Sequence, residues 1–293
     1  MEAPTIATYN VDLLAPQGGI RMRAIMDTLE GHNPDIVALQ EVATPPMIAA
    51  VEARGAPNYF IARSKNTGAS HPLFSYFPSL ITLMAAAATS SLPLAVAGAL
   101  IMPKISVNVI KTLMLPSSIC RSWDHTALTT LLSKKRYQGA TVLRTHVFHK
   151  LRSSKPMEWL GARPGYMIVS GITYQKKVEK IVNLHLTTNA AATGDQIKIL
   201  LSDPLLKGPA YIIGDFNNVP NSGALKLLTD AGFRLITSDI GPTYHGDGHP
   251  GAKQIDHIFV RGHEANKWRA STNASAPKAD SLSDHFLVLA TPS

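Results

Sequence analysis

Residues 210–217 read Ala-Tyr-Ile-Ile-Gly-Asp-Phe-Asn. Residues 210–214 form a short, continuous apolar run of the length expected for a buried strand. Asp215 and Asn217 follow directly. A carboxylate and an amide at that point either build an Asx turn or end the strand in a functional site. The arrangement recurs, and recurrence decides between the two. Asn10 and Asp12 follow the β-prone run 5–9, and Glu41 follows Val37-Ala38-Leu39-Gln40. His185 sits within 181–186, Asp256 and His257 precede Ile258-Phe259-Val260, and Asp284 and His285 precede 286–289. In α/β folds the ends of adjacent strands converge on one crevice. Six such segments imply a single polar pocket.

The intervening chain fits that class. Residues 19–29 have helical spacing, with Ile20, Ile25, Met26 and Leu29 on the apolar face. Residues 35–40 have the length of a buried strand. Pro45 and Pro46 suit a turn into a helix over 47–54, and 59–62 is the next strand. Further on, 166–174 and 178–186 read as a hairpin, 195–201 and 222–231 as helices, and 254–260 and 286–290 as the last strands.

The middle of the chain differs from both ends. Between Glu52 and Glu158 there are thirteen Lys and Arg against one acid, Asp124, a net charge of +12. The remainder carries 15 basic and 19 acidic residues, or −4. The overall charge of +8 therefore belongs to one segment and does not argue for nucleic acid by itself. Residues 72–103 hold no charge, and 80–102 is long enough for a membrane span, although Pro93 interrupts it. A single crossing would separate Asn10 and Glu41 from Asp215 and His285. The segment 72–115 is thus read as a contact with an anionic membrane surface or an apolar cover on the domain. Cys120 is the only cysteine, which excludes an intrachain disulfide. Residues 1–15 hold Glu2 and Asp12 and lack a signal-peptide pattern, so an intracellular protein, membrane-associated in the first case, is expected.

The donor types at the strand ends are mostly oxygen. Hard oxygen ligands suit magnesium, with manganese as the alternative, and no Cys/His cluster favours zinc. A histidine beside a carboxylate acts as acid or base near neutral pH. Thr8-Tyr9-Asn10-Val11-Asp12, Leu39-Gln40-Glu41, Asn183-Leu184-His185-Leu186, Gly214-Asp215-Phe216-Asn217, Ile255-Asp256-His257 and Ser283-Asp284-His285 resemble, in order, the motifs of the endonuclease/exonuclease/phosphatase superfamily. The resemblance covers 4–63 and about 158–291. It implies a four-layer α/β sandwich of two packed mixed sheets, one catalytic domain over 1–293, with 64–157 as an atypical apolar and basic insertion.

The resemblance also implies roles. Glu41 is the main metal ligand, supported by Asn10, Asp12 and Asp284. Asp215 and Asn217 orient the attacking water and hold the phosphate. His285 is the general base or phosphate-stabilising imidazole, oriented by Asp256. His185 contacts the phosphate or protonates the leaving group. Each residue alone also has a plain reading: Glu41 as a helix cap, His185 as a core histidine, His257 as packing, His245 as a solvated loop residue. The expected activity is magnesium-dependent phosphodiester hydrolysis. Nucleic acid ranks slightly ahead as substrate, with Lys134, Lys135, Arg136, Arg144, Lys150, Arg152 and Lys155 as a phosphate-tracking run. A sphingomyelinase-like enzyme acting on phospholipid is the first alternative, and a catalytically dead membrane-bound scaffold the second.

Overall fold

The computed structural model describes residues 2–13, 15, 17–64, 127–148, 164–245, 251–264, 267–273 and 282–293. Strand β1 (Ile6–Asn10) runs parallel to β2 (Ile36–Gln40), with helix α1 (Gly18–His32) between them in the chain. Helix α2 (Pro45–Gly55) leads to β3 (Tyr59–Arg63), and β4 (Thr129–Ser133) pairs antiparallel with both β2 and β3. With β11 (Trp268–Thr272) and β12 (Val288–Pro292) these strands form a sheet of order β11-β12-β1-β2-β4-β3.

The second sheet takes β5 (Tyr137–Val147), β6 (Gly165–Thr173), β7 (Val178–His185), β8 (Ala210–Asp215), β9 (Arg234–Leu235) and β10 (Asp256–Arg261), in the order β5-β6-β7-β8-β10-β9. Its one parallel pair, β7 with β8, is bridged in the chain by α3 (Ala190–Ser202). Helix α4 (Gly223–Asp230) follows β8.

Three apolar clusters separate four layers. Met22, Ile25, Met26, Met47 and Val51 of α1 and α2 pack on Ala7, Tyr9, Val37 and Leu39. Ile6, Ile36 and Ala38 of the first sheet meet Ile181, Ile213 and Ile258 of the second. Ile197, Leu200, Leu225 and Leu228 of α3 and α4 pack on Val182, Leu184, Ile212 and Phe259. Strand alternation decides which residue joins which cluster. Along β1, Ile6 and Asn10 share the inter-sheet parity. Ile36 and Gln40 share it along β2, Ile181, Asn183 and His185 along β7, and Tyr211, Ile213 and Asp215 along β8. The polar residues thus continue the apolar inter-sheet rows to the strand ends.

The helix read over 195–201 begins earlier, at Ala190, and the strand Trp268–Thr272 was not foreseen; further sequence readings change as well. Pro45 and Pro46 open α2 rather than precede it, because Thr44 is its N-cap and its hydroxyl accepts the Met47 amide at 3.4 Å. Ile20 is 60% exposed, whereas Arg21 is buried at 7%, so the buried face of α1 begins one residue later. Residues 129–147, within the expected insertion, supply one strand to each sheet. Thr129–Ser133 is fully buried, and the adjacent basic turn obscured that short strand in the sequence.

Residues 65–126 and 149–157 of that stretch, including the proposed membrane contact 72–115, lie outside the described residues. Its first stem is clasped: Ser64 N donates to Leu128 O at 3.0 Å and Leu128 N to Ser64 Oγ at 3.3 Å. Among the described residues no helix is long and apolar enough to cross a membrane.

Candidate active site

Asn10 joins the two sheets. Its Nδ2 donates to Glu41 Oε1 at 3.2 Å and to Asp215 Oδ2 at 3.1 Å. By alternation Glu41 would face the helices. Its φ of +66° turns it toward Asn10, and its other oxygen accepts the Leu13 amide at 2.8 Å. Asp12 and Asn217 also have left-handed backbones, with φ of +49° and +50°. Positive φ is uncommon outside glycine and is concentrated at functional sites.

Asp215 is buried at the end of β8 and accepts the Asn217 amide at 2.8 Å. Two imidazoles approach it: His185 Nε2 at 3.5 Å and His285 Nε2 at 3.7 Å. His185 Nε2 is also 3.9 Å from Glu41 Oε1. Burial, then the neighbouring Asp256, raise the Asp215 pKa against the opposing effect of the two histidines. His285 Nδ1 donates to Asp256 Oδ2 at 2.8 Å. Burial disfavours the charged ring, but Asp256, its hydrogen bond, Asp215 and Asp284 outweigh that and lift His285 to about 10. The Tyr244 ring lies 4.9 Å from the imidazole, tilted by 59°.

The remaining predicted residues sit around this centre. Asp284 Oδ1 is 4.0 Å from His285 Nε2. Asp12 Oδ1 accepts the Ala15 amide at 3.2 Å. Asn217 Nδ2 donates to Leu186 O at 2.8 Å, tying the end of β7 to the turn after β8. His257 points to the helix layer, where Nε2 donates to Asn218 O at 2.7 Å and burial lowers its pKa. His245 Nε2 donates to Ser283 O at 3.0 Å, supporting the turn before His285.

The described members of the expected basic run, Lys134, Lys135, Arg136 and Arg144, are each engaged with groups of the frame. Lys134, Lys135 and Arg136 form the β4–β5 turn. Ser133 pairs beside Asp35, at the end of β2 opposite Glu41. There Arg136 is ion-paired with Glu179 at 2.9 Å, whereas Arg144, further along β5, is paired with Asp203 at 3.2 Å. Lys150, Arg152 and Lys155 lie outside the described residues.

Two supports escaped the sequence reading. Beneath Glu41, Gln40 Nε2 donates to Asn183 Oδ1 at 2.9 Å, and Asn183 Nδ2 donates to Leu39 O and Thr129 O at 3.1 and 3.0 Å. This fully buried amide pair locks one sheet to the other. Gln40 and Asn183 stood inside the motifs, and strand parity puts both on the inter-sheet face. The other support is Arg21, whose guanidinium donates to the carbonyls of Val11, Asp12 and Leu282.

Two packed mixed sheets with carboxylates, amides and imidazoles gathered at one rim define an α/β sandwich of the phosphodiesterase and nuclease kind. The chain belongs to the endonuclease/exonuclease/phosphatase family, whose sequence model matches residues 7–285. Among solved structures it is similar to an endonuclease/exonuclease/phosphatase from Bacteroides vulgatus, at 18% identity and a TM-score of 0.61, covering 98% of this chain and 97% of that one. It is also similar to humanized D. rerio TDP2 carrying 14 mutations, at 14% identity and a TM-score of 0.60, with 98% and 97% covered. D. rerio TDP2 complexed with a single strand DNA product gives 14% and 0.59, with 98% and 97% covered. At these identities the likeness speaks for the fold. No curated protein sequence matches the chain significantly.

Proposed function

We propose that this protein is a divalent-cation-dependent phosphodiesterase acting on nucleic acid. The observation that carries the reading is the single network Glu41–Asn10–Asp215, with the Asp256–His285 pair against it. The donor set fits a hard cation. Asp12, Glu41, Asp215, Asp256 and Asp284 crowd one rim, where Arg21 is the buried guanidinium. Asp256 Oδ1 is buried with no hydrogen-bond partner among the described residues. Oxygen donors in such excess suit magnesium, or manganese. Asp215, Asp256 and His285 also lie close enough to act as a three-ligand group, with donor atoms within 4.8 Å. We favour an oriented imidazole there, because Asp256 Oδ2 already accepts the His285 Nδ1 proton.

Glu41 and Asn10 would hold the cation, with Asp12 and Asp284 as outer support. The bound ion supplies a lowered water pKa and neutralises charge on the phosphate. Asp215, held by Asn10 and Asn217, accepts a hydrogen bond from the attacking water and orients it. Its raised proton affinity suits that role. His285 is cationic while Asp215 and Asp284 stay uncompensated, and binds a phosphate oxygen in that state. Offsetting their charge lowers its proton affinity toward that of a base. His185 presents Nε2 to the same space and donates to the phosphate or the leaving oxygen.

The likeness to D. rerio TDP2, solved with a single strand DNA product, supports nucleic acid as substrate. The test is supercoiled plasmid with magnesium, using His285→Ala as the control. Nicking by the wild type alone is expected. Hydrolysis of an activated phosphodiester without plasmid nicking would remove nucleic acid and turn attention to sphingomyelin in vesicles. No hydrolysis of either would mark a dead scaffold.

A further inference from the structure

We propose that Arg21 is a positioning residue that sets the spacing between the cation-binding half and the imidazole half of the site. The proposal rests on the phosphodiesterase reading above. Arg21 lies in the first turns of α1, in the outer layer, and its side chain passes inward beneath the rim. One terminal nitrogen donates to Val11 O and to Leu282 O, the other to Asp12 O. Val11 and Asp12 belong to the turn that follows Asn10. Leu282 opens the turn that carries Ser283, Asp284 and His285. These turns are far apart in sequence, yet one planar group holds both. Ser283 provides a second, shorter link: its hydroxyl donates to Asn10 O at 2.6 Å and accepts the His285 amide at 3.1 Å.

The neighbours of Arg21 on the buried face are Met22, Ile25 and Met26. An apolar side chain of similar length would satisfy helix-to-sheet packing there. Burying a guanidinium is costlier than burying such a side chain. What the guanidinium alone adds is a rigid fork of donors that reaches three carbonyls at once. All three bonds go to main-chain oxygens, so they fix backbone position and leave the carboxylates of Asp12 and Asp284 to face the rim. Reacting groups displaced by about 1 Å lose on the order of 100-fold in rate. A link that holds Asn10 against His285 therefore acts on turnover more than on substrate binding.

The test compares Arg21→Met and Arg21→Lys with the wild type. For each we would measure kcat and KM on bis-p-nitrophenyl phosphate with magnesium, near-UV circular dichroism at the assay temperature, and amide hydrogen exchange by segment. For Arg21→Met the expected result is a kcat lower by roughly 30–100-fold with KM within about threefold. Exchange should rise by about tenfold or more in residues 10–13 and 282–287 together, with 256–261 unchanged. Arg21→Lys, which keeps the charge but lacks the fork, should fold and stay below about one tenth of the wild-type kcat. If Arg21→Met fails to fold, Arg21→Lys carries the test. Wild-type kcat in a folded variant overturns the proposal, as does faster exchange spread evenly over 256–261. If the wild type hydrolyses no phosphodiester, the functional reading fails on its own. The paired exchange response still decides whether Arg21 couples the two turns.

Discussion

Replacing Asp256 by Asn tests the imidazole pair with almost no change of shape. In the metal-free protein burial opposes a charged His285, and Asp256 is the first of the groups that reverse this and lift the ring to about 10. Against an ordinary histidine near 6.5, that gap is worth roughly 5 kcal/mol in favour of the charged ring. Asn keeps an acceptor for Nδ1 and removes the charge. His285 should then titrate about 1–3 pH units lower, the usual effect of one close opposite charge.

Two assays read this out. Imidazole titration by NMR in metal-free protein gives the ionisation directly. Urea unfolding against pH gives its linkage to stability. A histidine whose folded pKa is raised contributes its full stabilisation below about 6.5, and that contribution disappears as pH climbs through about 10. The wild type should therefore lose stability across that window, and Asp256→Asn should show a flatter profile. With magnesium, turnover should fall by about 100- to 10,000-fold, as when an acid or base loses its orienting partner. An unchanged imidazole titration together with wild-type turnover would refute the reasoning.

Chelation should abolish hydrolysis, with magnesium restoring it, and Glu41→Gln should cost about 1,000-fold or more in kcat under saturating magnesium. Asn183→Leu should destabilise the fold by roughly 2–4 kcal/mol in urea melts. It strands Gln40 Nε2 in the core and removes one bond from each of the Leu39 and Thr129 carbonyls. Charge reversal at Lys134 and Lys135 should leave plasmid nicking within about twofold. Their amines reach Ala56 O and Asn33 Oδ1 at the end of the sandwich away from Glu41.

Much of the frame was legible because its strands are short apolar runs ending in polar residues. Ala210–Asp215 and Ile36–Gln40 are buried throughout, and a run of that length has few other uses. Other strands were hidden for physical reasons. Trp268–Thr272 lies at a sheet edge, and three of its five positions are half-exposed or exposed polar residues. Thr129–Ser133 directly adjoins Lys134 and Lys135, so the charge pattern outweighed the strand signal. At the candidate site, each strand-end residue could be picked out as a polar group following or preceding an apolar run. The groups linking them could not, since Arg21 works through main-chain carbonyls that carry no mark in the sequence. Its place on α1 also depends on a helix phase that Ile20 disguised.

The clasp between Ser64 and Leu128 has a consequence for how such a chain can diversify. Ser64 and Leu128, far apart in sequence, are neighbouring backbone positions, beside β2 where it gives way to Glu41. The entropy lost in tethering both ends grows only with the logarithm of the length between them. In general, a flexible connection of about 60 residues costs only about 2 kcal/mol more to close than a four-residue turn. Segments of very different size and chemistry can thus be exchanged at this doorway, next to the carboxylates, while the two sheets keep their register.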